Sequence, residues 1–168
     1  MTVPTKSILH EEVRGPNIRL NYDVPASGVT TFAGQFAALN THAAAANQGL
    51  TIPLVPGVGQ SFLGVYSDQA PDNGSDNNNI DGGGKIMKRV EVTGVVDAAT
   101  DTGKAVWLAD SGLPFNLTPA ADPPYGVILK VTGTAEADVW VFGMEARWLL
   151  ELLRQQGIDF STALRIGI

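Results

Sequence analysis

The sequence has no cysteine in its 168 residues, and charged side chains make up only 17% of the chain. The lack of cysteine excludes a disulfide framework, a thiolate metal site and a cysteine nucleophile. Charged residues usually make up about 25% of a globular chain, so the shortage is unusual. A chain of roughly 150 residues buries enough surface to support a core unaided, and a single domain is the default expectation.

Positive charge is the scarcer sign, with 11 Lys and Arg against 17 Asp and Glu. Nucleic-acid binding leaves a basic stripe in a sequence, and the nearest candidate here is Lys85–Arg89. This segment alternates into Val90-Glu91-Val92, which is typical of the polar face of a strand. We therefore expect no nucleic-acid partner.

The shortage of charge is concentrated in one stretch. No Lys or Arg occurs from Leu20 to Gly84, and no Asp or Glu occurs from Val24 to Ser67. Prolines and amides interrupt this stretch, so it contains no apolar run of about 18 residues and we expect no membrane partner. The segment Met1–His10 has no apolar run after its lysine, so no signal peptide is expected. Because interface cores are depleted in charge, we expect much of Val24–Ser67 to be covered by other protein. A neutral surface rich in Ala, Thr, Asn and Gly is the alternative.

Short β-rich runs separated by turn residues dominate the chain from Leu50 onward. The expected strands are Thr51–Val55, Ser61–Ser67, Lys85–Thr93, Lys104–Ala109, Phe115–Leu117, Tyr125–Thr132 and Ala137–Phe142. The polar segments Asp68–Gly84 and Asp97–Gly103 are expected to be an exposed loop and a turn. Several short strands at near-even spacing indicate a mainly β fold, a small antiparallel β-barrel or sandwich.

The N-terminal part differs from this strand pattern. Residues 1–24 are expected to form an arm that is broken at Gly15-Pro16 and contains one short strand at Asn17–Tyr22. The spacing of Phe32, Phe36 and Leu39 allows a short helix around 33–46, whereas Thr30-Thr31-Phe32 favours a strand.

The C-terminal part contains the one clear helix. Met144–Gln156 has an amphipathic pattern that predicts a helix ending before Gly157. Its apolar stripe consists of Trp148, Leu149, Leu152 and Leu153. The chain is therefore expected to divide into an N-terminal extension (1–49), a β core (50–143), and a C-terminal helix and tail (144–168).

No catalytic constellation occurs in the sequence. The segment His10–Arg14 begins like a zinc-protease helix motif but has Arg14 where the second histidine should stand. His42 has no acid nearby in the sequence, and Gly82-Gly83-Gly84-Lys85 lacks the leading Gly and the Ser or Thr of a phosphate loop. We therefore expect no enzymatic activity and no cofactor.

Two further features of the sequence resemble binding sites. Asn77–Gly82 has the alternating oxygen ligands of a calcium loop, but the position of the bidentate Glu is taken by Lys88. A solvated loop tip is the favoured interpretation, and no metal is expected. Trp107 and Trp140 each lie among apolar strand residues, which favours core packing over a carbohydrate-stacking platform.

Several short motifs occur in order between Val90 and Gly143. They are Val92-Thr93-Gly94, the apolar run Ala105–Ala109 followed by Asp110-Ser111-Gly112, the segment Phe115–Thr118, then Gly126-Val127-Ile128 and Ala137–Phe142 with its Asp138-Val139 pair. In this pattern the segment resembles the small β-barrel decoration (cement) proteins of the capsids of tailed bacteriophages. The resemblance covers about a third of the chain.

The resemblance implies a structural virion protein that is made in the bacterial host cytoplasm and binds the outer surface of a phage capsid. Such a protein stabilises the shell by bridging capsid subunits, so the implied partners are the major capsid protein and further copies of this chain, as a homotrimer. The alternative is a receptor-binding or adhesive module on a head fibre or tail, which an exposed Trp107 or Trp140 would favour.

The candidate interface residues are apolar side chains outside the expected β core. They are Phe32, Phe36, Leu39, Trp148, Leu149, Leu152, Leu153, Phe160 and Leu164. Such segments are expected to be buried between chains, either against another copy or against the capsid.

Overall fold

The computed structural model describes residues 10–12, 19–23, 30–39, 51–55, 61–67, 77–95, 97–109 and 114–161. Within these ranges the chain forms mainly strands, with one short and one longer helix. In chain order the elements are β1 His10–Glu12, β2 Arg19–Asp23, β3 Phe36–Leu39, β4 Thr51–Pro53, β5 Ser61–Tyr66, β6 Asn77–Asp81, β7 Lys85–Thr93, α1 Ala98–Asp101, β8 Ala105–Leu108, β9 Phe115–Asn116, β10 Gly126–Gly133, β11 Glu136–Val141 and α2 Met144–Gln155.

Five strands close into a small barrel in the order β7-β11-β10-β8-β9, because β9 pairs back with β7. The pairs within this barrel are antiparallel except β7 and β9, which run parallel and place Val92 opposite Phe115 and Thr93 opposite Asn116. β1 adds to this sheet by pairing with the first residues of β7. The expected mainly β fold with a barrel and a C-terminal helix is therefore confirmed.

The other strands form a second antiparallel sheet, in the order β2-β6-β5-β3-β4. Two sequence-based expectations are corrected here. The helix allowed around 33–46 is wrong for its described part, because Phe36–Leu39 is a strand that pairs on both sides. The loop expected over Asp68–Gly84 is wrong for Asn77–Asp81, which pairs with both β2 and β5 and buries Ile80.

The turn expected at Asp97–Gly103 is also corrected, since it contains the one-turn helix α1. The side chain of Asp97 accepts a hydrogen bond from the backbone N–H of Ala99, as an N-cap does. The side chain of Asp101 in turn accepts a hydrogen bond from the backbone N–H of Asp97, so the N-cap residue and the last residue of the helix are bonded to each other.

One apolar core joins the two sheets. Phe36 and Phe62 from the second sheet pack with Phe115 and Tyr125 from the barrel side. The described residues of the charge-free stretch, 30–39, 51–55 and 61–67, supply many of the buried side chains on the second-sheet side. The expectation that another protein covers them is therefore wrong for these core residues, because the chain itself buries them.

Candidate functional site

Helix α2 is bonded to the rest of the chain at its N-terminus and at Trp148. The backbone N–H of Met144 donates to the carbonyl oxygen of Gly82 over 2.6 Å. The indole Nε1 of Trp148 donates to the carbonyl oxygen of Phe62 over 2.7 Å, which ties the helix to β5. The helix ends as the sequence predicted, with Gly157 at a φ of +91° just beyond it.

The inward face of α2 carries charge, which sequence analysis did not expect. Arg147 is only 6% exposed, whereas the leucines of the apolar stripe are exposed. Glu151 and Arg154 follow it at spacings of four and three residues, so all three share one face. This spacing was the signal in the sequence, but nothing in it showed that the charged face would be turned inward.

A cleft of about 530 Å³ lies between this face of α2 and the ends of β4 and β5. Its volume falls within the range of roughly 300–1,000 Å³ that is typical of sites for small ligands. The lining residues are Leu54, Val55, Ser61, Phe62, Asp122, Tyr125, Arg147, Trp148, Glu151, Leu152, Arg154 and Gln155.

Arg147 lies over the ring of Tyr125, with 4.1 Å between the guanidinium carbon and the ring centroid. Burial raises the pKa of the Tyr125 hydroxyl, and the positive charge of Arg147 opposes that rise. Two buried guanidinium nitrogens, Nε and Nη1, have no hydrogen-bond partner among the residues that the structure describes. A buried cation without full hydrogen bonding is costly, so this side chain is the most unusual feature of the cleft.

Glu151 is bound to Arg154 rather than to Arg147. The Nε of Arg154 lies 3.0 Å from both carboxylate oxygens of Glu151, and its Nη2 contacts one of them as well. These hydrogen bonds hold the pKa of the Glu151 carboxyl below its usual value. Glu151 and Arg154 therefore form an ion pair with each other in the lining of the cleft.

The outward face of α2 is apolar. Trp148, Leu149, Leu152 and Leu153 are all exposed to a large degree, and Ile158 adds to them just after the helix. The predicted stripe is therefore present, and its side chains are available to another chain.

The other candidate interface residues lie outside the stripe of α2. Phe36 and Phe160 are buried within the chain, so they have no surface left to bind a partner. Their assignment to an interface is corrected for this reason. Phe32 and Leu39 are half-buried. Leu164 lies outside the described residues.

The two strand tryptophans differ. Trp107 is buried in the core, as predicted, and its indole Nε1 donates to the carbonyl oxygen of Asp122 over 2.9 Å. The same prediction is wrong for Trp140, which is 44% exposed and packs edge-on against Phe142. Strand β11 alternates, and Trp140 occupies one of its outward positions between the buried Val139 and Val141.

The basic segment at the start of β7 is only partly a polar strand face. Lys88 and Arg89 are exposed, but Lys85 is buried and its Nζ lies 2.9 Å from the carboxylate of Asp81. This lysine therefore belongs to the interior of the fold rather than to a surface that binds other molecules.

Within the described ranges, no three His, Cys, Asp or Glu side chains come together to hold a metal ion. In the same ranges, neither helix is both long and apolar enough to cross a membrane.

Comparison with protein-family models, with curated proteins and with solved structures found no match to this chain.

Proposed function

We propose that this chain is a structural virion protein of the capsid decoration class, which binds the outer surface of a tailed-phage capsid and bridges its subunits. The observation that carries the proposal is the outward face of α2, where a small barrel protein presents a continuous row of leucines to its surroundings. Large exposed apolar patches on soluble proteins mark interaction sites.

The patch is large enough to form the apolar centre of a protein interface. The exposed fractions are 45% for Trp148, 59% for Leu149, 57% for Leu152, 39% for Leu153 and 49% for Ile158. Together they equal about two and a half fully exposed side chains, or on the order of 250 Å² at roughly 100 Å² each. A standard interface buries about 800 Å² per partner, of which roughly 55–65% is apolar. The patch therefore offers about half of the apolar area that one such interface requires.

The sequence motifs between Val90 and Gly143 support the same proposal from a different part of the molecule, because they resemble those of decoration proteins. The role is mechanical and needs no catalytic group, since a protein that covers the junction between two capsid subunits stabilises the shell by burying apolar surface. The proposed partners are the major capsid protein and further copies of this chain, assembled as a homotrimer.

The test is co-sedimentation of the purified chain with phage heads assembled from the major capsid protein of the same genome. We expect the wild-type chain to pellet with the heads and to sediment as a trimer when alone. Leu149→Glu combined with Leu153→Glu places two charges in the part of the row that does not line the cleft, and is expected to abolish head binding or trimer formation.

The matched control is Leu129→Glu, a similarly exposed leucine on β10. It is expected to leave both behaviours intact. A chain that stays monomeric and never pellets with heads would overturn the proposal, as would a Leu129→Glu variant that fails as completely as the double variant.

A second candidate function rests on Trp140. An exposed tryptophan on the outside of a β-barrel is able to stack on a sugar ring, as an adhesive or receptor-binding module of a head fibre or tail requires. Binding to a glycan array that is lost in Trp140→Ala and kept in Trp148→Ala would favour this function over capsid decoration.

A further inference from the structure

We propose that the cleft between α2 and β5 binds a ligand that joins a single carboxylate to an apolar body, with Arg147 as the anchor of the carboxylate. The site lies on the inward side of α2, whereas Leu149 and Leu153 of the proposed capsid contact lie on the outward side; Trp148 and Leu152 border both. The two proposals rest on different observations, and their tests use different variants.

The first argument is the state of Arg147. Its side chain is nine-tenths buried, and two of its nitrogens lack a hydrogen-bond partner among the described residues. Tyr125 compensates part of the buried charge, through a cation–π contact of its ring and a hydrogen bond of its hydroxyl with the guanidinium, but Nε and Nη1 of Arg147 still have no acceptor among the described residues. A carboxylate would supply both the opposite charge and the acceptor oxygens.

The second argument is that the nearest acid in the sequence is already engaged. Glu151 is four residues after Arg147, a spacing that commonly forms an ion pair on a helix. Both of its oxygens instead accept hydrogen bonds from Arg154. The negative charge of Glu151 still acts on Arg147, but it gives the guanidinium Nε and Nη1 no acceptor, and an incoming anion is able to supply one.

The third argument concerns the rest of the ligand. Leu54, Phe62 and Leu152 give the cleft apolar walls, which suit an alkyl or aryl group. Asp122 and Glu151 also line it, and their negative charges would repel a dianion such as a phosphate monoester about twice as strongly as a monoanion. A single negative charge on an apolar body satisfies both constraints.

Two sources offer this chemistry, a free organic acid or a Glu or Asp side chain flanked by apolar residues in an extended peptide. The two nitrogens are closed to solvent, so binding requires a rotation of the Arg147 side chain. Trp148 also lines the cleft and is bonded to β5 by its indole N–H, so its indole NMR signal is a local reporter.

The test is an NMR titration of the full ¹⁵N-labelled chain that follows the Trp148 indole signal, with hexanoate as the first probe. We expect hexanoate to shift this signal saturably. Acetate, which lacks the apolar body, 1-hexanol, which lacks the charge, and hexyl phosphate, which is a dianion, are expected to bind at least about tenfold more weakly. This comparison uses only the wild-type chain and does not depend on the folding of any variant.

The anchor is tested with Arg147→Met, which keeps most of the side-chain volume and removes the donors. Hexanoate affinity is expected to fall by about tenfold or more, while the exposed control Arg89→Met retains it. Equal binding of hexanoate and 1-hexanol, no saturable shift, or an Arg147→Met variant that folds and binds as well as the wild type would each overturn the proposal.

A second titration distinguishes the sources. The probe is a Leu-Leu-Glu-Leu-Leu peptide, acetylated and amidated so that the glutamate is its one carboxylate. Tighter binding of the peptide than of hexanoate assigns the site to a protein segment, and the reverse assigns it to a free organic acid. Head binding by Arg147→Met, measured separately, bears on the capsid proposal alone.

Discussion

Phe36 and Phe115 meet edge to face, with ring centroids 5.6 Å apart and ring planes at 90°, although they belong to different sheets. Phe36 also contacts Phe62 in its own sheet and Tyr125 beside the barrel, each with 5.9 Å between centroids. The two sheets therefore share one aromatic junction and are expected to unfold together.

The first prediction follows from this junction. Phe36→Ala is expected to lower the free energy of unfolding by about 3–5 kcal/mol, because it empties the centre of the aromatic cluster. Phe36→Leu keeps most of the side-chain volume, so it is expected to lower the free energy of unfolding clearly less than Phe36→Ala does. Guanidinium unfolding followed by circular dichroism and by tryptophan fluorescence should give one coincident transition for the wild type. Two separate transitions would show that the sheets are independent units.

The second prediction concerns the buried ion pair of Lys85 and Asp81. Lys85→Met leaves the buried carboxylate without the ammonium group 2.9 Å away, and it is expected to lower the free energy of unfolding by about 3–5 kcal/mol. The double variant Asp81→Asn with Lys85→Met removes both charges and is expected to be more stable than the single variant. Urea denaturation measures all three chains.

Lys104→Met is the matched control for this pair. Lys104 lies 2.8 Å from Asp101 but is far more exposed than Lys85. Lys104→Met is expected to lower the free energy of unfolding less than Lys85→Met does, since water already solvates the Lys104 ammonium group in part. A larger loss at Lys104 than at Lys85 would contradict the argument from burial.

The third prediction concerns Gly64, which has a φ of +150° in β5. A Cβ atom at this position would lie 2.1 Å from the carbonyl oxygen of Asp81, so Gly64→Ala forces β5 and β6 apart. We expect a loss of several kcal/mol, or failure to fold, measured by thermal unfolding. Gly157→Ala is the control, because its φ is also positive but nothing lies within 4 Å of the added atom. That variant is expected to lose only about 1 kcal/mol.

The fourth prediction concerns pH. Hydrogen bonds from Arg154 lower the pKa of Glu151 from its ordinary value of 4.5. A carboxyl with a lower pKa in the folded state stabilises the fold above the unfolded pKa, and this contribution disappears as the pH falls through the folded pKa. The free energy of unfolding of the wild type is therefore expected to exceed that of Glu151→Gln by about 0.2–1 kcal/mol near neutral pH. This difference should vanish in acid.

Urea denaturation at about pH 7 and about pH 3 measures that difference. The control is Glu91→Gln, at an exposed position of β7. The difference in free energy of unfolding between wild type and this variant is expected to be similar in the two conditions. A difference between wild type and Glu151→Gln that grows on acidification would contradict the assigned ion pair.

The barrel strands could be predicted from sequence because their apolar alternation is local. β7 begins and ends at the predicted residues Lys85 and Thr93, and α2 begins at Met144 as predicted. β6 could not be predicted, since its sequence Asn-Asn-Asn-Ile-Asp is typical of a turn and only pairing with β2 and β5 makes it a strand. Long-range pairing overrode local propensity there.

Of the candidate site, the outward face of α2 could be predicted from sequence and the cleft could not. The apolar stripe of α2 follows from helical spacing, so the outward face was visible in the sequence. The cleft was not, because it depends on a hydrogen bond between Trp148 and Phe62, which are 86 positions apart in the chain, and on which arginine Glu151 binds. Neither choice is encoded in a pattern of neighbouring residues.

The two residue pairs between β7 and β9 make the barrel unequal around its circumference. The longer β10–β11 ladder has six paired positions, whereas β7–β9 has two, supported by a 3.3 Å hydrogen bond from the backbone N–H of Leu117 to the carbonyl oxygen of Thr93. Local opening is easiest where few bonds must break at once. The β8–β9 and β8–β10 ladders also have two pairs each, so opening is expected on this side of the barrel, and the amide of Leu117 is expected to exchange with deuterium well before that of Val139.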